Sequence, residues 1–510
     1  MESKISSDRI LINETIYEGA SEQAVDTDFT LPDFCPDIGK IFRCDAAARV
    51  TTKSVSNGTL KLEGTTRLTV FYLDSTDKKL ACCSKDIPFA KEISVGECPD
   101  GVKASVRMRT DYMNCRAVSQ RKVDIHGAVT AIIKIASAKS SEIISDAQGG
   151  GVKLRQMIRQ VSMPVGNAMS QLSVSEALEL SDGKPPIASI LNTSAAFCVS
   201  DVRPIANKVI VKGDLLLKVL YRTDTDSGAE SMEYTIPFNQ FFDVTGADDS
   251  CVCDFFAGVG YADIGLRTDS DGEYRRMQAD VKADCEIKVY RQNEISVITD
   301  AYSTQCELQL ERKLMEMKKL CANITDRFIS RDSIDMDTSE LGSVKDVTCT
   351  AEIPKISFGG DAADIEVPIN AYVLIEDKDG CYDLKEFSFT AHNELKLPSG
   401  CKNPRANAYV QVRSVSFSLS SGRIDISTEL EVNASVYENI DVACVSSITP
   451  DDTKPKRADS TPAIVLYFAD AGEDLWSIAR DHNTSVEKIR EENELDEDTI
   501  TEPKLLLVTV

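Results

Sequence analysis

The chain has 510 residues, 42% of them hydrophobic and 27% charged, which is ordinary globular usage for a protein of several domains. It carries 57 Lys and Arg against 82 Asp and Glu, a formal charge of −25, so it lacks the positive surface that nucleic acid or an anionic lipid sheet requires. No signal-peptide core opens the sequence and no window approaches the ~18 apolar residues of a transmembrane segment, so the expectation is a soluble, cytoplasmic chain.

Sixteen cysteines are scattered without a C-x-x-C, and there are only three histidines, His126, His392 and His482. A Cys/His zinc site is therefore not expected, and no metal or cofactor is assigned. Most of the cysteines read as small buried hydrophobes in a reducing compartment. His126 falls at an outward position of an alternating strand and His392 in a polar stretch, so neither reads as a catalytic base. Phosphate-cradling, nucleophile-elbow and zincin motifs are missing as well, and no catalytic residue is nominated.

Along the chain, self-similarity is the first strong signal. Residues 36–72 align without a gap on 185–221, sharing among others Pro36/Pro185, Ile38/Ile187, Val50/Val199, Gly64/Gly213, Leu68/Leu217 and Tyr72/Tyr221. In a third, more diverged copy Leu341, Gly342, Val344 and Ile353 occupy the places of Ile38, Gly39, Ile41 and Val50, while Val367 replaces the shared glycine. The period is that of a strand: Leu60, Leu62, Thr66, Leu68, Val70 and Tyr72 alternate with polar residues, and the other copies keep the frame. The glycine that interrupts the first two runs predicts a bulge or a close approach of backbones.

A second alternating run closes each copy, starting at Val123, Met277 and Ile424, after turn cues at Ser119-Gln120, Asp271-Gly272 and Ser421-Gly422. Clean alternation predicts antiparallel sheets with one wet face. The segments between copies, 150–180 and 303–335, are mixed. LERKLMEMKKLCANI could be a helix through Leu310, Leu314, Met317 and Cys321, but an opening strand is preferred by analogy with the I-x-I of Ile10 and Ile12. The fold class is thus mainly β: three tandem sandwich-like or barrel-like repeats at 1–149, 150–303 and 304–448.

Residues 449–462, TPDDTKPKRADSTP, read as an exposed linker. Beyond it, 463–510 order as β-α-α-β. Leu475, Ile478 and Ala479 form a short apolar stripe after an Asp474 N-cap, and Thr484 to Glu487 fits a capping box for a second helix. Tyr467, Gly472, Leu475, Ile478, Ala479, Ile489, Asn493, Leu495, Ile500, Leu506 and Val508 fall on the LysM pattern, which this module resembles. That resemblance implies N-acetylglucosamine-glycan binding by the loops at Ala471, Gly472, Asn493 and Leu495. The module carries 12 acids and 4 bases, however, so an acidic unit docking a basic protein patch fits at least as well. Trp476 is the sole tryptophan and lies at the edge of the apolar stripe, where it either covers a small core or, the preferred reading, stands as a partly exposed interface anchor. Glu473, Asp474, Ile489 and Asn493 complete the expected partner-binding set.

Taken whole, LP-x-x-x-PDIGKIFRCDA (31–46) and K-L-E-G-x-x-x-x-x-V-F-Y (61–72) in tandem repeats ahead of a LysM module resemble the SipL-like family of clostridial spore-coat morphogenetic proteins, with tandem SPOCS domains. The resemblance implies a non-enzymatic scaffold of the mother-cell cytoplasm at the forespore surface. Its LysM module would hold the coat-basement ATPase SpoIVA, alongside other spore-coat proteins. The alternative is a peptidoglycan- or N-acetylglucosamine-binding cell-wall protein.

Overall fold

The structure, a computed structural model, describes residues 4–99, 102–225, 228–336, 341–420, 422–456 and 464–509. The first repeat runs β1 (Lys4–Thr30), β2 (Ile38–Ser56), β3 (Thr59–Asp74), β4 (Leu80–Ser94), β5 (Ala104–Ser119) and β6 (Lys122–Gln148). Two three-stranded antiparallel sheets result, β1-β6-β5 and β2-β3-β4. Their facing apolar rows, including Phe29, Leu68, Val70, Tyr72, Val123 and Ile125, close into one core. The arrangement is a sandwich of two open sheets, which settles the expected choice between sandwich and barrel.

The second repeat repeats this order with β7 (Val152–Glu179), β8 (Ile187–Ile205), β9 (Lys208–Thr223), β10 (Ala229–Asp243), β11 (Cys251–Arg267) and β12 (Arg276–Ser303). The third comprises β13 (Cys306–Asp335), β14 (Leu341–Ala351), β15 (Lys355–Gly359), β16 (Ala362–Asp377), β17 (Tyr382–Lys396), β18 (Pro404–Ser420) and β19 (Arg423–Pro455). Residues 306–335 are strand along their whole length, paired with β19. The reason is visible in burial: Met315 and Met317 point inward while Leu314, which a helix would have buried, is exposed.

Residues shared between copies have local jobs. The Tyr72 hydroxyl donates to the Pro36 carbonyl at 2.9 Å and that of Tyr221 to Pro185 at 3.3 Å, tying strand to preceding loop in both repeats. Strands β2 and β8 each carry three register shifts at matching positions, the last between Val50 and Thr52 and between Val199 and Asp201. Opposite that bulge sit Gly64 and Gly213. A Cβ there would lie 2.2 Å from the Arg49 carbonyl oxygen and 2.1 Å from that of Cys198, so only glycine fits, as the interrupted runs predict. In the third repeat the strand breaks at Glu352-Ile353-Pro354 between β14 and β15. Neither β14 nor β15 then pairs with Val367, which is fully buried.

The three copies also share hydrophobic clusters. One cluster joins Ile10 and Ile143 to Val161 and Val297 and to Met315 and Ile440, so all three repeats contribute. A second does the same with Leu73 and Leu80, Leu191 and Leu220, and Leu374 and Tyr382. The opening and closing strands, 27 to 33 residues long, outrun their own sandwiches, and their apolar ends can be covered only by one another. The expected linker is also partly structured: β19 continues to Pro455, which lies opposite Cys306. Residues 457–463, with the rest of that linker, and Ser421 of the expected turn fall outside the described residues.

Candidate functional site

The histidines offer no imidazole to a cavity. His126 is exposed between Asp26 at 2.9 Å and Asp124 at 3.1 Å, and hydrogen bonds to these two carboxylates raise its pKa. His392 is exposed on β17, and His482 caps a helix. A cavity of about 170 Å³ at the junction of the three repeats is lined by Arg107, Asp254, Phe256, Tyr409 and Asn433, with no histidine.

The C-terminal module consists of β20 (Ile464–Ala469), α1 (Leu475–Asp481), α2 (Val486–Asn493) and β21 (Lys504–Thr509), the order expected. Asp474 is the N-cap of α1, accepting from the Trp476 amide. The second cap is Ser485, which accepts from Lys488 N, one residue later than the capping box placed it. Thr484 is otherwise engaged: its hydroxyl donates to the Thr509 carbonyl at 2.6 Å and ties the helix start to β21.

Several predicted contact residues prove to be the module's own framework. Ile489 is 0% exposed and lies in the core, so it meets no partner while the module is folded. Asn493 donates to the carbonyls of Ile489 and Leu507 and accepts from the Leu507 amide, at 2.7–2.8 Å. Its side chain clamps α2 to β21 with both amide protons and one acceptor site of its oxygen. Leu495 packs half-buried against the same core. Glu473 accepts from the Tyr467 hydroxyl, and that bond raises the Tyr467 pKa. Ala471 and Gly472 are exposed, with the Gly472 amide pinned to Ile500 O at 2.7 Å.

Trp476 is not the exposed plate that its position suggests; it is 8% exposed. The cover comes from the second repeat. Tyr302, near the end of β12, meets the indole edge-on with ring centres 4.8 Å apart. The indole Nε1 donates to Asp300 Oδ2 at 2.9 Å, and the Tyr302 hydroxyl donates to Thr484 O at 2.7 Å. Burial pushes the Tyr302 phenol up, which keeps it a donor. Around this contact Arg155 pairs with Asp474 at 2.9 Å, and Asp300 also holds Arg312 and Arg480. Neither Tyr302 nor Asp300 stood out in the sequence, because an aromatic at the end of an alternating run is normal strand content.

The opposite face of the module is uncovered. Along β20, Ile464, Leu466 and Phe468 are 62%, 66% and 61% exposed, and Leu505 on β21 is 53% exposed. Leu466 stands directly across from Leu507 and Phe468 across from Leu505, so these side chains form one contiguous patch.

The family model "SipL, SPOCS domain" matches residues 37–118 and 186–266, and the model "LysM domain" matches 471–502. No curated protein and no solved structure matches the chain. SPOCS and LysM are non-catalytic domain families; they mark a sporulation-related protein with a module of a cell-wall-binding class. No helix among the described residues is long and apolar enough to cross a membrane. The chain carries tandem SPOCS domains of the SipL type and a C-terminal LysM domain.

Proposed function

We propose that the protein is a non-enzymatic scaffold of endospore-envelope assembly, acting in the mother cell at the forespore surface. Its LysM domain binds a coat-basement ATPase of the SpoIVA kind and so localises the coat. The observation that carries this reading is the open apolar face of β20 and β21, a patch of the kind that marks protein contact sites. The acidic balance of the module, 12 acids against 4 bases, favours a partner surface with basic residues around an apolar centre. Trp476 and Asp474 then act by fixing the domain on the second repeat, through Asp300 and Arg155, while Glu473 braces Tyr467 within the module. Binding of the full chain to the ATPase, measured by calorimetry, tests this. Leu466→Glu with Phe468→Glu should abolish binding with the fold intact, and undiminished binding would refute the assignment.

A glycan reading has one observation in its favour: the loop at Ala471 and Gly472 is exposed, with its backbone held in place. Chitin-oligomer titration of the same double variant separates the two, since a sugar loop is untouched by changes on the sheet face.

A further inference from the structure

Cys321, Cys401 and Glu438 converge from three segments of the third repeat, with one ligand atom of each lying within 4.8 Å of the others. The two sulfurs are 2.8 Å apart although the residues are 80 positions apart in the chain. Cys321 is the extra residue of a bulge in β13, between Leu320 and Ala322, and a bulge turns a side chain out of the regular alternation. Cys401 lies in the loop between β17 and β18, just after Gly400, whose φ is +83°. Glu438 follows Val436 along the inward-facing row of β19 and is half-buried. Among the described residues its carboxylate has no ion-pair partner.

We propose that these three side chains bind one zinc-class divalent cation, with water at the fourth position. Two thiolates and a carboxylate suit a borderline-soft ion. Around a tetrahedral zinc with Zn–S near 2.3 Å the sulfurs would stand roughly 3.8 Å apart, so they need to separate by only about 1 Å. Binding converts two thiols to thiolates and releases two protons for each cation taken up. The ion ties the 398–403 loop to β13 and β19. The residue beside the bulge, Leu320, packs with Tyr290 of the second repeat, and the Leu320 carbonyl accepts from Gln292 at 3.1 Å. The cation therefore braces the third repeat where it meets the second. Linear spacing concealed the set, because none of the three is near another in sequence. The pair Cys35 and Cys83, 3.1 Å apart, is a built-in control: it is buried in the first repeat with no carboxylate ligand among the described residues.

The test is a Co²⁺ titration of the reduced full chain, followed by displacement with Zn²⁺ and elemental analysis. One equivalent should bind with thiolate-to-cobalt charge-transfer absorption and be displaced by zinc. Cys321→Ser and Cys401→Ser should each lose that band, and Glu438→Gln should weaken binding at least about tenfold, while Cys83→Ser should bind as the parent does. Tryptophan emission and thermal melting confirm that each variant is folded; should Cys321→Ser fail this, Cys401→Ser and Glu438→Gln decide. Absence of the band, its survival in Cys401→Ser, unchanged affinity in Glu438→Gln, or a Cys321–Cys401 disulfide recovered under reductant would each overturn the assignment.

Discussion

The LysM domain has two apolar surfaces, and they have opposite fates. The surface bearing Trp476 is covered by Tyr302 and ringed with ion pairs from Arg155 and Asp300, whereas the sheet face of Leu466 and Phe468 is open. A domain of fewer than fifty residues has a small core, so each surface matters to its stability or its binding. The difference separates two jobs, attachment to the body through the Trp476 face and capture of a partner through the sheet face, whereas the sequence alone points to Trp476 for partner capture.

The comparison can be broken most severely from inside. Ile489→Ala removes a fully buried side chain and should cost about 2–5 kcal/mol, enough to unfold the domain. Limited proteolysis would then digest 464–509 and spare the body; resistance would mean that docking alone sustains the fold. Next comes the open face. Leu466→Glu with Phe468→Glu should cost on the order of 2–4 kcal/mol of partner binding while tryptophan emission stays unshifted, since the indole lies on the other side. A red shift in that variant would show that the two faces are coupled.

Tyr302→Ala attacks the covered surface and should weaken docking by about 1.5–3 kcal/mol, the scale of burying one large side chain. Trp476 emission should shift red and become quenchable by iodide, with partner capture retained. If capture fails together with docking, the covered face carries both jobs. The smallest effect belongs to Arg155→Ala. Arg155 and Asp474 are half and a quarter exposed, so the pair should contribute only about 0.2–1 kcal/mol, fading as salt is raised.

Much of this was legible in the sequence. The alternation at Leu60 to Tyr72 and the shared glycine fixed strand, face and bulge, because both depend on chain-local sterics. The LysM order was equally local, down to the Asp474 cap. What escaped notice depends on tertiary neighbours: Asn493 looks like a polar surface residue until Leu507 is brought opposite it, and Trp476 looks half exposed until Tyr302 arrives. Nothing in β1 alone says that Ile10 packs against strands from two other copies.

The pairing of first strand with last has a consequence during synthesis. Lys4 pairs with Gln148 and Thr30 with Lys122, so β1 has no partner until the whole repeat has been made. At about 5–20 residues per second that is a wait on the order of ten seconds, during which a bare strand could zip onto a neighbouring nascent chain. The composition of these strands answers the hazard. In β1 the apolar Ile10, Leu11 and Ile12 are flanked by Asp8, Arg9 and Glu14, and in β13 charged residues such as Glu311, Arg312 and Lys313 interrupt the leucines. The polar residues that make these strands look undecided between helix and sheet also keep them soluble until their partners emerge.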